Sequence, residues 1–352
     1  MAQLPTVDDV ARVANVSRQT VSNVLNSPDI VKTATRERVE TAIEQLGYRP
    51  HASARRLRTQ QSSTIGIRLD RQVNGISGSI LDHYLHALTE QAAERGMRVM
   101  LFTATDPEDE ITQLRRLRDG ADVDAFVITA TQYNDPRIAW LAAEGIPFVA
   151  FGRPWGEDMD SPERLWVDVD GFTGTREATT HLIGRGLTRI GFLGWPAGSG
   201  TGDDRRAGWA DAMREQFGLS DAELEALTTR TDESVPHARR VVEKLVAANG
   251  FDALVCVSDS LALGAMMAVN EAGQHSFPVI GFDNSPVARA VGLSSVEQQL
   301  DLVAAATLEL LMGATGHRVV PHSEGPRHRL IAPKLVVRRS SHLAPVEEAG
   351  ST

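Results

Sequence analysis

The amino-acid sequence predicts a small all-α module at the N-terminus, joined to a much longer α/β body of two similar lobes. Three observations lead to this prediction. Residues 1–60 carry apolar side chains at helical spacing in three short stretches. From about residue 63 onwards, short β-type runs alternate with longer helical stretches. A chain of 352 residues with 42% hydrophobic side chains is too long for one ordinary core, so two or three domains are expected.

The first predicted helix begins at Thr6. Residues 6–9 have the form of a helix start, in which the threonine hydroxyl accepts a hydrogen bond from a free backbone N–H. A short break at 15–16 then precedes Ser17, which is a good cap for a second helix. The apolar side chains expected to hold these two helices in a core are Val7, Val10, Ala11, Ala14, Val21, Val24 and Leu25.

A third helix is expected from about Thr35. Its apolar side chains are Val39, Ile43 and Leu46. Gly47 follows as a C-terminal cap, and Pro50 stands just beyond it. Three short helices, the first two joined by a tight turn, indicate a helix-turn-helix, whose second helix normally enters the major groove of DNA.

The second helix carries side chains that suit base recognition. Arg18 can fork onto guanine, and Gln19 or Asn23 can pair with adenine. The spacing alone leaves an alternative open, in which three helices form an ordinary bundle with a polar face. The charge distribution favours DNA modestly, since residues 1–60 carry a net charge of +3, which leaves −13 for the rest of a chain whose total is −10.

The body consists of two predicted series of strands. The strands of the first series are 64–69, 98–103, 125–129 and 147–152, with an amphipathic helix over 79–95. Those of the second series are 165–170, 189–194, 253–259 and 278–284. Such alternation predicts two doubly wound lobes, each with a parallel sheet covered by helices on both faces, and a cleft between them.

Ligands of open α/β sheets bind beyond the carboxyl ends of the strands. That rule selects five side chains at the ends of predicted strands, namely Arg153, Trp195, Asp259, Asp283 and Asn284. Polar groups beside an aromatic ring suit a polyhydroxylated ligand. Asp259 has an alternative role as a helix cap, and Asp168 and Asp170 are expected to serve a turn or a helix start.

The sequence argues against several other chemistries. The glycine-rich segment 198–202 lacks the third glycine of a nucleotide-binding loop, and Asp203 and Asp204 would repel a phosphate there. The single cysteine, Cys256, is expected to be a buried strand residue. No constellation indicates catalysis, a metal or a cofactor, and no stretch has the length of a membrane span. The N-terminus does not resemble a signal peptide, so a cytoplasmic location is expected.

Three segments carry a resemblance to a known family. They are residues 6–26, TVDDVARVANVSRQTVSNVLN; residues 35–50, which begin TRERVE and end QLGYRP; and residues 54–57, ARRL. These segments resemble the headpiece, the third helix and the hinge helix of the LacI/GalR (lactose/galactose repressor) family. The resemblance implies a headpiece over 1–50, a hinge helix and linker over 51–62, an effector-binding and dimerisation body over 63–340 and a flexible tail over 341–352. The family's body resembles periplasmic sugar-binding proteins.

The same resemblance implies which residues contact DNA. Ala54 and Leu57 of two hinge helices would enter the minor groove, where the leucine acts as an apolar wedge. The full expected set is Thr6, Ser17, Arg18, Gln19, Thr20, Ser22, Asn23, Ala54, Arg55 and Leu57. His51 and Lys32 depart from the pattern of many relatives, so a relative's operator sequence cannot be borrowed.

In the body, the resemblance adds Arg205, which stands three residues before the Gly208-Trp209 pair at the family's effector-contacting position. Segments 258–264 and 281–284 also match family patterns. The expected effector site consists of Arg205, Asp283, Asp259, Trp195 and Arg153.

The family implies a function as well as a fold. We expect a homodimeric repressor without enzyme activity, bound to a pseudo-palindromic operator and controlled by a sugar or oligosaccharide, that regulates carbohydrate uptake and catabolism. A regulator that responds to a nucleobase or a phosphosugar is the alternative within the family. A solute-binding protein is the alternative from another class.

Overall fold

The computed structural model describes residues 5–48, 62–69, 78–156, 159, 161, 164–248, 250–312 and 327–342. The chain divides into two compact units, Met1–Ser62 and Ser63–Thr352. The first unit corresponds to the predicted N-terminal module, and we call it the headpiece.

The headpiece contains the three predicted helices. They are α1 (Val7–Ala14), α2 (Arg18–Asn26) and α3 (Thr33–Leu46), with a 3-10 turn at Pro28–Ile30. The Asp9 N–H donates to Thr6 Oγ1 at 3.3 Å, and the Thr6 N–H donates to the Asp9 carboxylate at 3.0 Å. These reciprocal bonds satisfy free N–H groups at the start of α1. The Thr6 hydroxyl, at 2.7 Å, and the Thr6 N–H both donate to the Asp9 carboxylate, and these bonds lower the pKa of Asp9 to about 2.

The ends of the other headpiece helices follow local rules. Ser17 caps α2, as predicted, and the helix-turn-helix turn passes through Asn15 in the left-handed conformation at φ 50°. Gly47 ends α3 at φ 60°, also as predicted. The helix begins at Thr33, two residues before the predicted start, and Lys32 at its N-cap makes no side-chain capping bond.

The headpiece core lies between the three helices. Val10, Val21 and Val39 are fully buried, one from each helix. The prediction for Leu25 was wrong, because this side chain is 37% exposed. Among the described elements, α2 packs against α1, α3 and the 3-10 turn, and it buries Val21 and Val24 and leaves Leu25 at the edge.

The second unit contains two six-stranded sheets in its described part. The first sheet has the order β11-β5-β4-β3-β1-β2, and all its described pairs are parallel. Its strands are β1 (Thr64–Arg68), β2 (Arg98–Phe102), β3 (Ala125–Ile128), β4 (Phe148–Phe151), β5 (Trp166–Val169) and β11 (His328–Ile331). We call this sheet and the helices packed on it the first lobe.

The second sheet has the order β12-β10-β9-β8-β6-β7. Among its described pairs, β10 and β12 are antiparallel and the others are parallel. Its strands are β6 (Ile190–Gly194), β7 (Thr228–Arg230), β8 (Ala253–Cys256), β9 (Val279–Asp283), β10 (Ser294–Glu297) and β12 (Lys334–Val336). This sheet and its helices form the second lobe.

Helices cover both sheets. Those of the first lobe are α4 (Gly78–Glu94), α5 (Pro107–Asp119), α6 (Pro136–Ala143) and α13 (Leu300–Met312). Those of the second lobe are α7 (Gly171–Ile183), α8 (Gly200–Phe217), α9 (Asp221–Ala226), α10 (Val235–Ala247), α11 (Asp259–Glu271) and α12 (Pro286–Val291). In β3, Val127 clusters with Tyr84 of α4, whereas the adjacent Phe126 clusters with Leu114 of α5 and Leu141 of α6. Because neighbouring strand residues face opposite sides, helices lie on both faces of this sheet, as a doubly wound lobe requires.

One strand lies in a different sheet from the one predicted. β5 was expected to begin the second series, but it pairs in parallel with β4 and with β11 in the first sheet. Strand–helix alternation gives the order of elements along the chain, and the sheet a strand joins depends on partners distant in sequence. Four short strands, β7, β10, β11 and β12, were not predicted. Each has only three or four residues; β7 is entirely polar, and the other three mix polar with apolar side chains.

The described chain passes between the lobes three times. The first crossing is at Asp170, between β5 and α7, and the second is at 298–299, between β10 and α13. The third is at 332–333, between β11 and β12. Each lobe is therefore assembled from separate parts of the sequence, and the crossings are the natural hinge between the lobes.

Candidate functional site

The first turn of α2 is organised by two hydroxyls. Ser17 Oγ accepts from the Thr20 N–H at 3.0 Å, and the Ser17 and Thr20 hydroxyl oxygens lie 2.9 Å apart. Thr6 caps α1. Three of the predicted DNA-contacting residues therefore also stabilise the helix ends that form the helix-turn-helix.

The predicted base-reading residues lie on the outer side of α2. The Arg18 side chain is 71% exposed, and its Nε is 3.9 Å from a carboxylate oxygen of Asp8. Gln19 is also exposed, and its Nε2 donates to Asn23 Oδ1 at 3.0 Å. Ser22 and Asn23 are half-buried. Arg18 and Gln19 thus present hydrogen-bonding groups to solvent at one end of the helix, where a base edge can meet them. Ala54, Arg55 and Leu57 lie outside the described residues, so their role stays a prediction.

The body has a second cluster of polar groups, centred on Arg205 of α8. This arginine is 5% exposed, and its Nη1 donates to the Val257 carbonyl at 2.6 Å. The same nitrogen lies 3.7 Å from Asp283 Oδ1, and the guanidinium carbon lies 3.6 Å from the centre of the Phe282 ring. Within the described residues, its buried Nε has no hydrogen-bond partner. The side chain is therefore held in place and keeps one donor unused.

Asp283 ends β9 in a strained conformation. Its φ of 115° lies in a region that residues other than glycine rarely adopt, and such strain is common at ligand sites. Its Oδ1 accepts from Gln298 Nε2 at 2.5 Å. Burial raises the pKa of this carboxyl to about 8. Burial therefore favours the protonated form of this carboxyl, which can donate a hydrogen bond.

A third part of the cluster surrounds Trp195. Glu233 Oε2 accepts from Trp195 Nε1 at 2.6 Å and from Ser258 Oγ at 2.8 Å. The other carboxylate oxygen of Glu233 is buried and has no hydrogen-bond partner among the described residues. The indole ring also lies 5.7 Å from the Arg205 guanidinium carbon.

A cavity of about 490 Å³ opens beside this indole ring. We call it the cleft, and its lining residues are Thr131, Gln132, Trp195, Pro196, Ala197, Gly198, Ser199, Gly200, Asp232 and Glu233. Thr131 and Gln132 follow β3 of the first lobe, and the other residues belong to the second lobe. The cleft therefore lies between the lobes, at the carboxyl ends of strands from both sheets.

The described hydrogen bonds of Asp259 are all to residues of the second lobe. Its Oδ2 accepts from the Ser285 N–H at 2.7 Å, and its Oδ1 accepts from Ser295 Oγ at 2.6 Å. Burial raises its pKa to about 6. The cap of α11 is Ser258 rather than Asp259, so the alternative role as a helix cap was wrong. Asp259 instead joins the ends of β9 and β10.

Arg153 is held by two carboxylates. Its Nε donates to Asp168 Oδ2 at 2.8 Å, and its Nη2 donates to Asp204 Oδ2 at 2.6 Å. Asp170 caps α7, as expected, whereas Asp168 is an ion-pair partner. In the glycine-rich segment, Ser199 caps α8.

Sequence reasoning missed Glu233 and the roles of Asp168 and Asp204. Glu233 follows β7, and recognition of that short strand would have selected it by its position after a strand end. No sequence signal pairs Arg153 with Asp204, because they are 51 residues apart and come from different lobes.

Other kinds of site are not supported in the described part of the chain. No group of three or more His, Cys, Asp or Glu side chains there could hold a metal ion. None of the helices described is both long and apolar enough to cross a membrane.

Comparison with known families matches both units. Residues 6–51 match the family model described as "Bacterial regulatory proteins, lacI family". Residues 78–322 match the model described as "Periplasmic binding proteins and sugar binding domain of LacI family".

Curated relatives match the chain over nearly its whole length. The HTH-type transcriptional regulator AglR of Rhizobium meliloti (strain 1021) is 33% identical, over 96% of this chain and 94% of its own. The HTH-type transcriptional regulator CelR of Thermobifida fusca is 29% identical, over 96% of this chain and 98% of its own.

Solved structures agree with these matches. A complex of the transcriptional regulator CelR with cellobiose superposes with a TM-score of 0.69 at 27% identity, over 96% of this chain and 99% of its own. The lac repressor dimer bound to operator and the anti-inducer ONPF superposes with a TM-score of 0.78 at 24% identity, over 97% of this chain and 100% of its own. The latter likeness concerns the fold.

Proposed function

The chain belongs to the LacI family of bacterial regulatory proteins, and from this we propose that it is a homodimeric repressor whose operator binding is controlled by a sugar. Its helix-turn-helix headpiece and two-lobed body make it a DNA-binding transcriptional regulator. The operator would be pseudo-palindromic, because two identical headpieces related by a twofold axis read two equivalent half-sites. It would act in the cytoplasm, where the bacterial chromosome lies.

One observation carries the proposal of a sugar effector. Trp195 lines a cleft between two lobes, and the Arg205 guanidinium lies near both its indole ring and the Asp283 carboxyl. Arginine and carboxyl groups form hydrogen bonds with hydroxyls, and an indole ring covers the apolar face of a sugar. The unused Nε of Arg205 and the unpartnered oxygen of Glu233 supply a donor and an acceptor of the kind that a hydroxyl can satisfy. That CelR has been crystallised with cellobiose supports the same class of ligand.

The alternative effector within the family is a nucleobase. A planar base can stack on Trp195, and a neutral Asp283 carboxyl can pair with a ring nitrogen. A phosphosugar is less favoured, because Asp232 and Glu233 place carboxyl groups in the wall of the cleft. A solute-binding protein would not require the headpiece.

The test combines DNA selection with a ligand panel. The purified chain would first select its operator from random duplexes. Its thermal unfolding would then be followed with monosaccharides, disaccharides, sugar phosphates and nucleobases. A specific ligand at about a hundred times its dissociation constant stabilises a protein by about 2.7 kcal/mol. We expect stabilisation by one class of sugar and a change in operator affinity with the same sugar.

Each other result has a definite meaning. Stabilisation by nucleobases alone would replace the sugar with the alternative effector. A response to none of the ligands would remove the sugar proposal and leave DNA binding standing. Failure to select any duplex would contradict the operator proposal itself.

A further inference from the structure

We propose that Arg153 and Asp204 form a latch between the two lobes, so that Arg153 positions the cleft and is not itself a ligand of the effector. Arg153 follows β4 of the first lobe, and Asp204 lies in α8 of the second. The inference deepens the proposed function by assigning a control point of the same site. The latch itself can be tested without knowing the effector.

The ion pairs of the latch are short and largely shielded from water. The Arg153 guanidinium donates to Asp204 at 2.6 Å and to Asp168 at 2.8 Å. The side chains of Arg153, Asp168 and Asp204 are 12%, 9% and 14% exposed. Salt screens such pairs much less than surface pairs, and breaking one of them leaves a poorly solvated charge. Because Arg153 and Asp204 belong to different lobes, the lobes can separate at this point only if their ion pair breaks.

A second contact between the lobes lies beside the ion pairs. The Arg153 guanidinium carbon is 4.4 Å from the centre of the Trp155 ring. The opposite lobe receives this ring at Gly200, where an added Cβ would lie 2.2 Å from Trp155 Cγ. Only glycine allows this approach. Arg153 and Trp155 of the first lobe therefore contact neighbouring residues of the second lobe, Asp204 and Gly200.

Asp204 also connects the latch to the hinge. Its Oδ2 accepts from the Phe172 N–H at 3.1 Å, and Phe172 comes two residues after the first crossing at Asp170. The residue after Asp204 is Arg205, the centre of the candidate effector site. One turn of α8 therefore carries the latch, a contact to the hinge and the proposed effector-binding side chain.

The contacts of Arg153 argue against its role as an effector ligand. A ligand that used this guanidinium would have to displace one or both carboxylates, and uncompensated buried charges cost several kcal/mol. The backbone is also held, because the Arg153 carbonyl accepts from Thr131 Oγ1 at 2.8 Å. Thr131 lines the cleft, so the latch fixes part of the cleft wall.

Hydrogen exchange of the full-length chain tests the latch. The variants are Arg153→Gln, Asp204→Asn and the double variant. The matched control is Arg176→Gln, which breaks ion pairs of Arg176 with Asp211 and Glu215 inside the second lobe. We expect amides of segments 152–156 and 198–204 to exchange at least about tenfold faster in all three latch variants and unchanged in the control. The double variant should match Arg153→Gln, because the pair with Asp204 is already broken in that variant.

Two results would overturn the proposal. The first is that amides of segments 152–156 and 198–204 exchange at wild-type rates in both single variants. The other is a double variant whose effect equals the sum of the single effects, which would indicate two independent local disturbances. Amides of the central strands β3 and β8 must remain protected, since this shows that the fold is intact. If Arg153→Gln fails to fold, Asp204→Asn decides alone, because asparagine keeps an acceptor for Phe172 and removes only the charge.

Discussion

Asp204 and Arg205 are consecutive residues of α8 whose side chains bind different partners. Asp204 accepts from Arg153 of the first lobe, and Arg205 donates to the Val257 carbonyl and faces Asp283 within the second lobe. Successive residues of an α-helix point about 100° apart, so neighbours in sequence can serve separate interfaces. Any shift of this helix turn changes the interlobe contact and the candidate effector site together.

The capping of α1 gives a first prediction. Thr6→Ala removes the acceptor for the Asp9 N–H and is expected to destabilise the headpiece by about 1 kcal/mol. Hydrogen exchange of α1 amides in the full-length chain measures the effect. The control is Thr41→Ala, since the Thr41 hydroxyl donates to Glu37 O within α3 and caps no helix start. Equal protection of α1 in the two variants would contradict the capping role.

The exposed arginine of α2 gives a second prediction. Arg18→Ala is expected to weaken binding to the selected operator by about 1–3 kcal/mol, because a bidentate contact to guanine is lost. The Arg18 side chain is 71% exposed, so the variant should fold normally. Arg38→Ala, which changes an exposed arginine of α3, should lose much less affinity. Equal losses in the two variants would mean that Arg18 contributes general charge and does not read a base.

The buried carboxyl at the end of β9 gives a third prediction, on pH. The pKa of Asp283 is raised from its ordinary value of 3.8 to about 8 in the folded chain. Between pH 3.8 and 8, the folded chain therefore keeps a proton on this carboxyl, whereas the unfolded chain has released it. This contribution to stability is fully present below about pH 3.8 and is lost as the pH rises through 8. The free energy of unfolding should therefore fall with rising pH, by at most about 1.4 kcal/mol per pH unit for one proton.

Denaturant unfolding between pH 6.5 and 9 measures this dependence. Because the pKa of Asp259 is about 6 and that of Asp283 about 8, the upper part of this interval reports mainly on Asp283. Asp283→Asn should flatten the pH dependence, because asparagine keeps an oxygen for Gln298 and has no titrating proton. An unchanged slope in the variant would assign the titration to another group.

The contact between Trp155 and Gly200 gives a fourth prediction. Gly200→Ala forces a methyl group into the indole ring, and overpacking of this kind costs about 1–3 kcal/mol. Tryptophan fluorescence and the free energy of unfolding measure the result. Gly78→Ala is the control, because a Cβ at that position of α4 meets nothing within 4 Å. An undisturbed spectrum in Gly200→Ala would contradict the packing of the ring on α8.

The features that the sequence predicted correctly are those determined by residues close together in the chain. Thr6, Ser17 and Gly47 mark the ends of the headpiece helices, because caps act on the backbone within three or four positions. Most body strands were predicted from continuous apolar runs, as expected for strands buried on both faces. The rule on strand ends selected Trp195 and Asp283, and both of these side chains lie beside Arg205.

The features that the sequence did not predict are determined by contacts with residues far away in the chain, or by the lack of such contacts among the described residues. The sheet that β5 joins is decided by β4 and by β11, which lies more than 150 residues later. The partner of Arg153 lies in the other lobe. Leu25 has the apolar character and spacing of a core residue, yet the small headpiece has no further described element to cover it.

The late position of β11 has a consequence for synthesis of the chain. The headpiece helices leave the ribosome first and have all their core partners within the first 48 residues. The first lobe, in contrast, has to wait for α13 and for β11, whose parallel pairing with β5 completes its sheet. Until His328–Ile331 has been synthesised, the nascent chain displays a finished DNA-binding module on an unfinished body. If the body controls that module, as proposed, this control can begin only after β11 has been synthesised.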